Sequence, residues 1–309
     1  MNATLKTLSI AVALALATLG SAHAQTVSVQ QDGTNHYASV DQTSSSTGST
    51  STVRVEQSGN ANRVGTPAMG FIPGITGIIQ SVEDSSATVI QEGVENSARV
   101  SQTDGIRFGA GIKQSGTANE AAIAQSGTSG AKAAVQQGGS ANVCMGSSCT
   151  SHSGDAIGSI SNVDQRATDA IASIYQFGSD HSASVTQTLG SGGEATVVQD
   201  GVSHSATVVQ SMDGGSPIIT TVRQVGTGHS ASAEQYGIRV TATLEQTGFL
   251  NETTILQSSN AMSANMVILQ NGTNPVSGNR ASVTQAVYGA SATLRQNGSG
   301  LSTVITQTQ

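Results

Sequence analysis

Along most of this chain, inward and outward residue types alternate with a period of two. In His181-Ser-Ala183-Ser-Val185-Thr-Gln187 one parity holds His, Ala, Val and Gln, and the other holds only hydroxyl residues. Alternation with β-branched enrichment predicts a strand with one face turned in and one turned out. The alternating pieces are separated by four residues of the form x-G-x-x, and glycine there permits the positive φ of a tight turn. A helix is excluded, because the period is wrong and Gly and Thr are frequent.

The pattern is also a repeat. A glutamine closes each strand at Gln31, Gln42, Gln57, Gln80, Gln91, Gln102, Gln114, Gln125 and Gln136. After a gap it returns at Gln165, Gln176, Gln187, Gln199, Gln210, Gln224, Gln235, Gln246, Gln257, Gln270, Gln285, Gln296 and Gln307, and most steps are eleven residues. Turn glycines follow two residues behind every second glutamine, at Gly33, Gly93, Gly116, Gly178, Gly201, Gly226, Gly248, Gly272 and Gly298. Like residues recur every two strands. That favours stacked strand-turn-strand arches over hairpins, since a meander would not need the same residue in the same column. The expected fold is all-β: a two-sheet parallel β-solenoid of about eleven rungs, cross-β and amyloid-like, roughly 50 Å tall at a strand spacing of about 4.8 Å.

We call the strand before each Q-x-G turn arm A and the strand after it arm B, so that rung one is Gln25–Gln31 plus His36–Gln42. Two regions break the count. Gly65–Gly77 holds two prolines and must leave the sheet. Gly138–Gly158 carries the cysteines, and the count there is compatible with an arm skipped or an arm inserted. Smaller insertions sit at Asp213–Pro217 and Thr273–Gly278.

Between the sheets, Ala183, Val185, Ala206, Val208, Val283 and Ile305 supply modest apolar burial. The Gln residues, with Asn96, Asn119 and Asn251, flank them. A buried amide without partners costs about 1–3 kcal/mol. Stacked at the strand spacing, each side-chain carbonyl accepts from the amide of a neighbouring rung, so a column satisfies itself and pins the register. The end of such a stack templates another copy unless it is capped.

Composition narrows the function. The 309 residues are only 10% charged and 3% aromatic, without Trp, and the net charge of −7 argues against nucleic acid. Met1–Ala24 has one charge at Lys6, an apolar run and a final Ala22-His-Ala24, the form of a cleaved secretory signal peptide. The expected division is 1–24 signal peptide and 25–309 repeat domain, with insertions near 65–77 and 138–158 and no later membrane-spanning segment. In an exported protein, Cys144 and Cys149 read as one local disulfide. A metal site would need more ligands than His152 and Asp155 beside them. No nucleophile elbow, phosphate loop or clustered acid-base set appears, so neither an enzyme nor a cofactor is expected.

Two columns carry alternatives. His181, His204 and His229 fall at the first inward position of arm B on consecutive rungs, with His36 at the same repeat position. They are either neutral stand-ins for Asn or a pH- or metal-sensitive stripe. Outward Thr88, Thr196, Thr221, Thr243 and Thr293 are either ordinary solvated β-sheet or an ice- or sugar-binding face, with Arg54 at an equivalent place.

The unit S-x5-Q-x-G-x-x-N-x-A-x3-Q resembles the curlin repeat of bacterial curli subunits. Ser85–Gln102 matches it at Ser85, Gln91, Gly93, Asn96, Ala98 and Gln102. The resemblance implies a secreted amyloid subunit of cell-surface fibres serving adhesion and biofilm matrix. It also implies self-polymerisation, a nucleator subunit and an outer-membrane secretion pore. The chain departs from the family in its larger number of rungs, in keeping the head Ser of arm A only at Ser51 and Ser85, and in repeats that begin at Gln25. The competing reading is a monomeric β-solenoid that binds ice or polysaccharide.

Overall fold

The computed structural model describes residues 24–43, 50–65, 77–127, 129–145, 148–212, 217–258, 263–286 and 288–308. Met1–Ala24, read as a signal peptide, lies outside them except for Ala24, as do most of Gly65–Gly77 and Asp213–Pro217. Among the described residues there is no helix, and the strands form a β-solenoid. Arm A stacks in parallel from Ala24–Thr34 through Thr50–Asn60 and Ser86–Val94 to Ser291–Gly298. Arm B forms the facing sheet, from Tyr37–Ala38 and Val40–Thr43 to Ser302–Thr308. Each sheet is a path of eleven stacked positions.

The alternation explains this arrangement. Along Glu194–Val202, Ala195, Val197 and Gln199 are buried while Glu194 is exposed and Thr196 half-buried. A slip of one residue would carry the apolar set to the outer face. The inward Ala and Val or Ile columns join into one core that runs from Val53 to Ala292, with Val27, Val29, Leu294 and Ile305 partly buried at the two ends. Burying a Val or Ile side chain contributes about 1.5–3 kcal/mol, so the stability is spread along the axis rather than gathered at a centre.

The insertions leave the columns intact. At Gly65–Gly77, Val64 pairs with Ala38 and Ala98 while Ile78 pairs with Val40 and Val100. Val64 and Ile78 therefore flank the slot that Ser39 and Arg99 fill on the adjoining rungs. At Gly138–Gly158 no arm is skipped and none is added. Gly139–Met145 and Ser148–Gly154 form an antiparallel hairpin with Cys144 opposite Cys149 in the backbone register. The chain then returns, so that Ala156 stacks between Gly116 and Gly178. The cysteine and His152 side chains lie outside the described residues, and the disulfide stays an expectation of the sequence.

One position in the glutamine count is corrected. Lys132–Gln137 aligns Ala133 with Ala110 and Val135 with Ile112, which sets Gln137, not Gln136, beside Gln114. Counting in elevens missed the extra residue in the preceding turn. Gln136 faces outward, and its amide donates to the carbonyls of Gly138 and Ser140 at 3.1 and 3.0 Å.

Candidate functional site

The arm A glutamines form one continuous column. The Nε2 of each donates to the Oε1 of the next, from Gln31 to Gln57 (2.7 Å), Gln91 (2.8 Å), Gln114 (2.8 Å), Gln137 (2.8 Å) and Gln176 (2.9 Å). It continues through Gln199, Gln224, Gln246, Gln270 and Gln296 at 2.7–2.9 Å. The arm B column runs from Gln42 through Gln80, Gln102, Gln125, Gln165, Gln187 and Gln210 at 2.6–2.8 Å. After a longer step to Gln235 of 3.4 Å, it resumes at 2.7–2.8 Å through Gln257 and Gln285 to Gln307. Inside the stack these amides are buried, and every one points its N–H toward the C-terminal rung.

The second amide hydrogen does work that the repeat alone did not reveal. Gln91 Nε2 also donates to the Arg63 carbonyl at 3.1 Å, and Gln102 Nε2 to the Ser86 carbonyl at 3.1 Å. Each bond crosses from one sheet to the other, and the pattern recurs at Gln114, Gln176, Gln187, Gln199, Gln224 and Gln246. A carbonyl can only accept, so this second contact fixes the amide's orientation as well as clamping the sheets. Sequence reasoning also missed the hydroxyls that stand where the inward pattern has Ala. The Thr220 Oγ1 accepts from Gln210 at 2.8 Å and donates to Gln235, which lengthens the direct bond between those two glutamines. Ser161 and Thr253 donate to Gln176 and Gln270 at 2.7 and 2.6 Å. The signal was legible as a Ser or Thr at a position of Ala parity.

A third column occupies the corner after the Q-x-G turn. Turn glycines Gly33, Gly93, Gly116, Gly178, Gly201, Gly226, Gly248 and Gly298 have positive φ. A Cβ at Gly93 would stand 2.1 Å from the Gly116 carbonyl oxygen, so the stacked turns exclude side chains there. Gly272 departs from the expectation: its φ is not positive, and the chain enters the Thr273–Gly278 insertion immediately after it. A second left-handed residue, which the repeat did not announce, stands just before the corner: Asn35, Ala61, Glu95, Ala118, Asp180, Ser203 and Leu250 have φ of 51–59°.

This conformation aims the corner side chain along the axis. Asn62 Oδ1 accepts the Asn96 N–H at 3.0 Å, and Asn96 Oδ1 accepts the Asn119 N–H at 3.1 Å. The histidines take over the same bonds. His181 Nδ1 accepts from the His204 N–H (3.3 Å), His204 Nδ1 from His229 (3.2 Å) and His229 Nδ1 from Asn251 (3.1 Å). Their Nε2 atoms donate to the carbonyls of Phe177, Asp200 and Val225 at 2.8–3.1 Å. Asn96 Nδ2 likewise bonds the Glu92 carbonyl four residues back. The rings stack at 5.0 and 4.9 Å between centroids. Burial lowers all three pKa values, opposed in each case by the backbone carbonyl. For His204, the neighbouring rings lower it further, to about 4. With both ring nitrogens committed, the stack offers no lone pair to a metal, and no metal-binding cluster occurs among the described residues.

The outward Thr196, Thr221 and Thr243 align in register, but the column also holds Arg54, Gly111 and Val267. The arrangement builds self-complementary surfaces along one axis, and among the described residues it gathers no acid, base and nucleophile into a cleft. Residues 25–59 match the family model of the curlin associated repeat. No curated protein matches the chain. The curlin repeat is found in a structural, non-enzymatic family, and no helix among the described residues is long and apolar enough to cross a membrane.

Proposed function

We propose that this chain is a secreted structural subunit that stacks end on end with copies of itself into curli-type extracellular amyloid fibres, serving adhesion and biofilm matrix. The observation that carries this reading is the unfinished state of the columns at both ends of the described stack. On rung one the Gln42 Oε1 is buried and has no donor, while on rung eleven the Gln307 amide donates only to the Ser291 carbonyl. An acceptor face thus meets a donor face, a heterologous contact that does not close on itself and propagates as a filament. The Thr303 hydroxyl, already accepting from Gln296 at 3.0 Å, repeats the arrangement by which Thr253 donates to the glutamine of the following rung. On this reading the Thr303 hydroxyl donates to the Gln31 Oε1 of an incoming copy, as Thr253 does to Gln270.

On this reading the signal peptide is cleaved after Ala24 and the mature chain leaves through an outer-membrane pore. A nucleator subunit presents the first rung, and no catalytic role or cofactor is assigned. The test is incubation of the purified mature chain at neutral pH. Fibres with a strand repeat near 4.8 Å along the axis are expected. A chain that stays monomeric for days, without a cross-β reflection, overturns the proposal in favour of a monomeric binding solenoid.

A further inference from the structure

The three histidine rungs do more than continue the asparagine column. An asparagine side chain keeps its hydrogen-bonding character across the ordinary pH range, whereas imidazole does not. The carbonyls of Phe177, Asp200 and Val225 accept only, so each Nε2 carries the proton of the neutral ring and each Nδ1 must present its lone pair. That lone pair is what receives the N–H of His204, His229 or Asn251. A second proton on Nδ1 would set N–H against N–H across the rung interface. It would also place like charges on rings 5.0 Å apart.

We infer that His181, His204 and His229 form an acid-sensitive seam in the middle of the solenoid, at which neighbouring rungs separate when the rings take up protons. The seam is bounded asymmetrically. On its C-terminal side the column continues through Asn251, whose Oδ1 accepts from the Asn279 N–H at 3.2 Å. On its N-terminal side stands Ser159, whose hydroxyl is buried with no partner, so the side-chain relay is already interrupted there. Opening therefore falls between the rung of His181 and the rung of Asn251, where the three Nδ1 bonds are lost.

The charged groups facing the rings are Asp180 and Asp200, which favour the imidazolium of His181, with Asp200 also acting on His204; the two flanking rings oppose it at His204. Burial outweighs the carboxylates, and all three folded values lie below the ordinary 6.5. The unfolded or locally opened chain then binds more protons. No penalty exists above about pH 6.5, and the penalty grows as pH falls from there toward the folded values. For His204 alone, with a folded value of about 4, the opening equilibrium rises about thirtyfold by pH 5.

The inference rests on the fold and not on the fibre reading, and the test keeps them apart. Hydrogen–deuterium exchange on the mature chain is followed by peptide at pH 7.5 and 5.0, beside the triple variant His181→Asn, His204→Asn, His229→Asn. The triple variant places on these rungs the residue that Asn96 and Asn119 already use. Comparing the two proteins at equal pH removes the intrinsic pH dependence of exchange. At pH 5.0 the wild-type segments around 177–205 and 225–251 should lose at least about tenfold of the protection that the variant keeps. The segment around 94–120 should be alike in both. Equal protection of the histidine rungs in the two proteins overturns the inference. A transplant checks it independently: Asn96→His with Asn119→His should create the same loss around 94–120, and persistent protection there overturns it too. Fibre formation is scored separately, so its failure would not be mistaken for failure of the seam.

Discussion

The glutamine columns and the corner column run side by side through the same rungs and tolerate change very differently. On arms A and B the closing residue is Gln on every rung, whereas the corner passes from His36 through Asn62, Asn96, Asn119 and Ser159 to three histidines, then Asn251, Asn279 and Leu301. The difference lies in what each side chain bonds to. A column glutamine bonds another side chain, so donor and acceptor must both recur at one reach, and an exception strands two amides. A corner Asn or His bonds the next rung's backbone N–H, which is present whatever the side chain there, so either residue serves, and at Ser159, whose hydroxyl has no partner, only that one link is lost.

The largest expected effect follows from breaking a glutamine column at its centre. Gln199→Leu leaves the Gln176 amide with only its cross-sheet bond to the Ile160 carbonyl, leaves the Gln224 Oε1 without its column donor, and removes the amide that bonds the Ser182 carbonyl. Each stranded buried group costs about 1–3 kcal/mol, so denaturant unfolding should show a loss of about 3 kcal/mol or more. A loss no larger than that of outward Thr243→Val, about 0.5 kcal/mol or less, would count against the column. A smaller effect is expected at the corner. At pH 7.5 His204→Leu strands the His229 N–H and removes the donor to the Asp200 carbonyl, and should cost about 1–3 kcal/mol, whereas His204→Asn should stay within about 1 kcal/mol. If both variants lose equally in the same unfolding experiment, the corner is read by ring packing and not by its acceptor. The smallest effect sharpens the comparison at the junction between copies. Leu301 receives the Asn279 Oδ1 bond on its N–H but offers no acceptor onward. Leu301→Asn supplies one, and seeded elongation should quicken about fivefold, the equivalent of roughly 1 kcal/mol. An unchanged rate would place the limiting contact elsewhere.

Much of this was legible in the sequence because the code is local. Period two gives the strand, x-G-x-x gives the turn, and recurrence every two strands gives the parallel stack. What escaped was set across rungs. The register of Gln137 over Gln136 depends on Ala133 and Val135 meeting Ala110 and Ile112, which no single repeat contains. The hairpin at Gly139–Gly154 departs within one turn and rejoins the same column, so counting residues could not distinguish it from a missing arm. The left-handed residue before the corner escaped because Glu95, Ala118 and Leu250 have nothing in common except their place. The second hydrogen of each glutamine amide reaches a backbone carbonyl on the opposite sheet, and backbone groups leave no mark in residue identity.

The uniform sense of the glutamine amides has an electrical consequence. Neighbouring peptide dipoles in a strand alternate and largely cancel, but the side-chain amides of both columns lie along the stacking axis with the same sense. Each amide carries a moment of about 3.5 D, and hydrogen-bonded chains polarise one another. The moments sum with the length of the stack, the positive pole lying at the C-terminal rung. The solenoid is thus a rod with unlike poles, and a field applied to it in solution would exert a torque that grows with every rung.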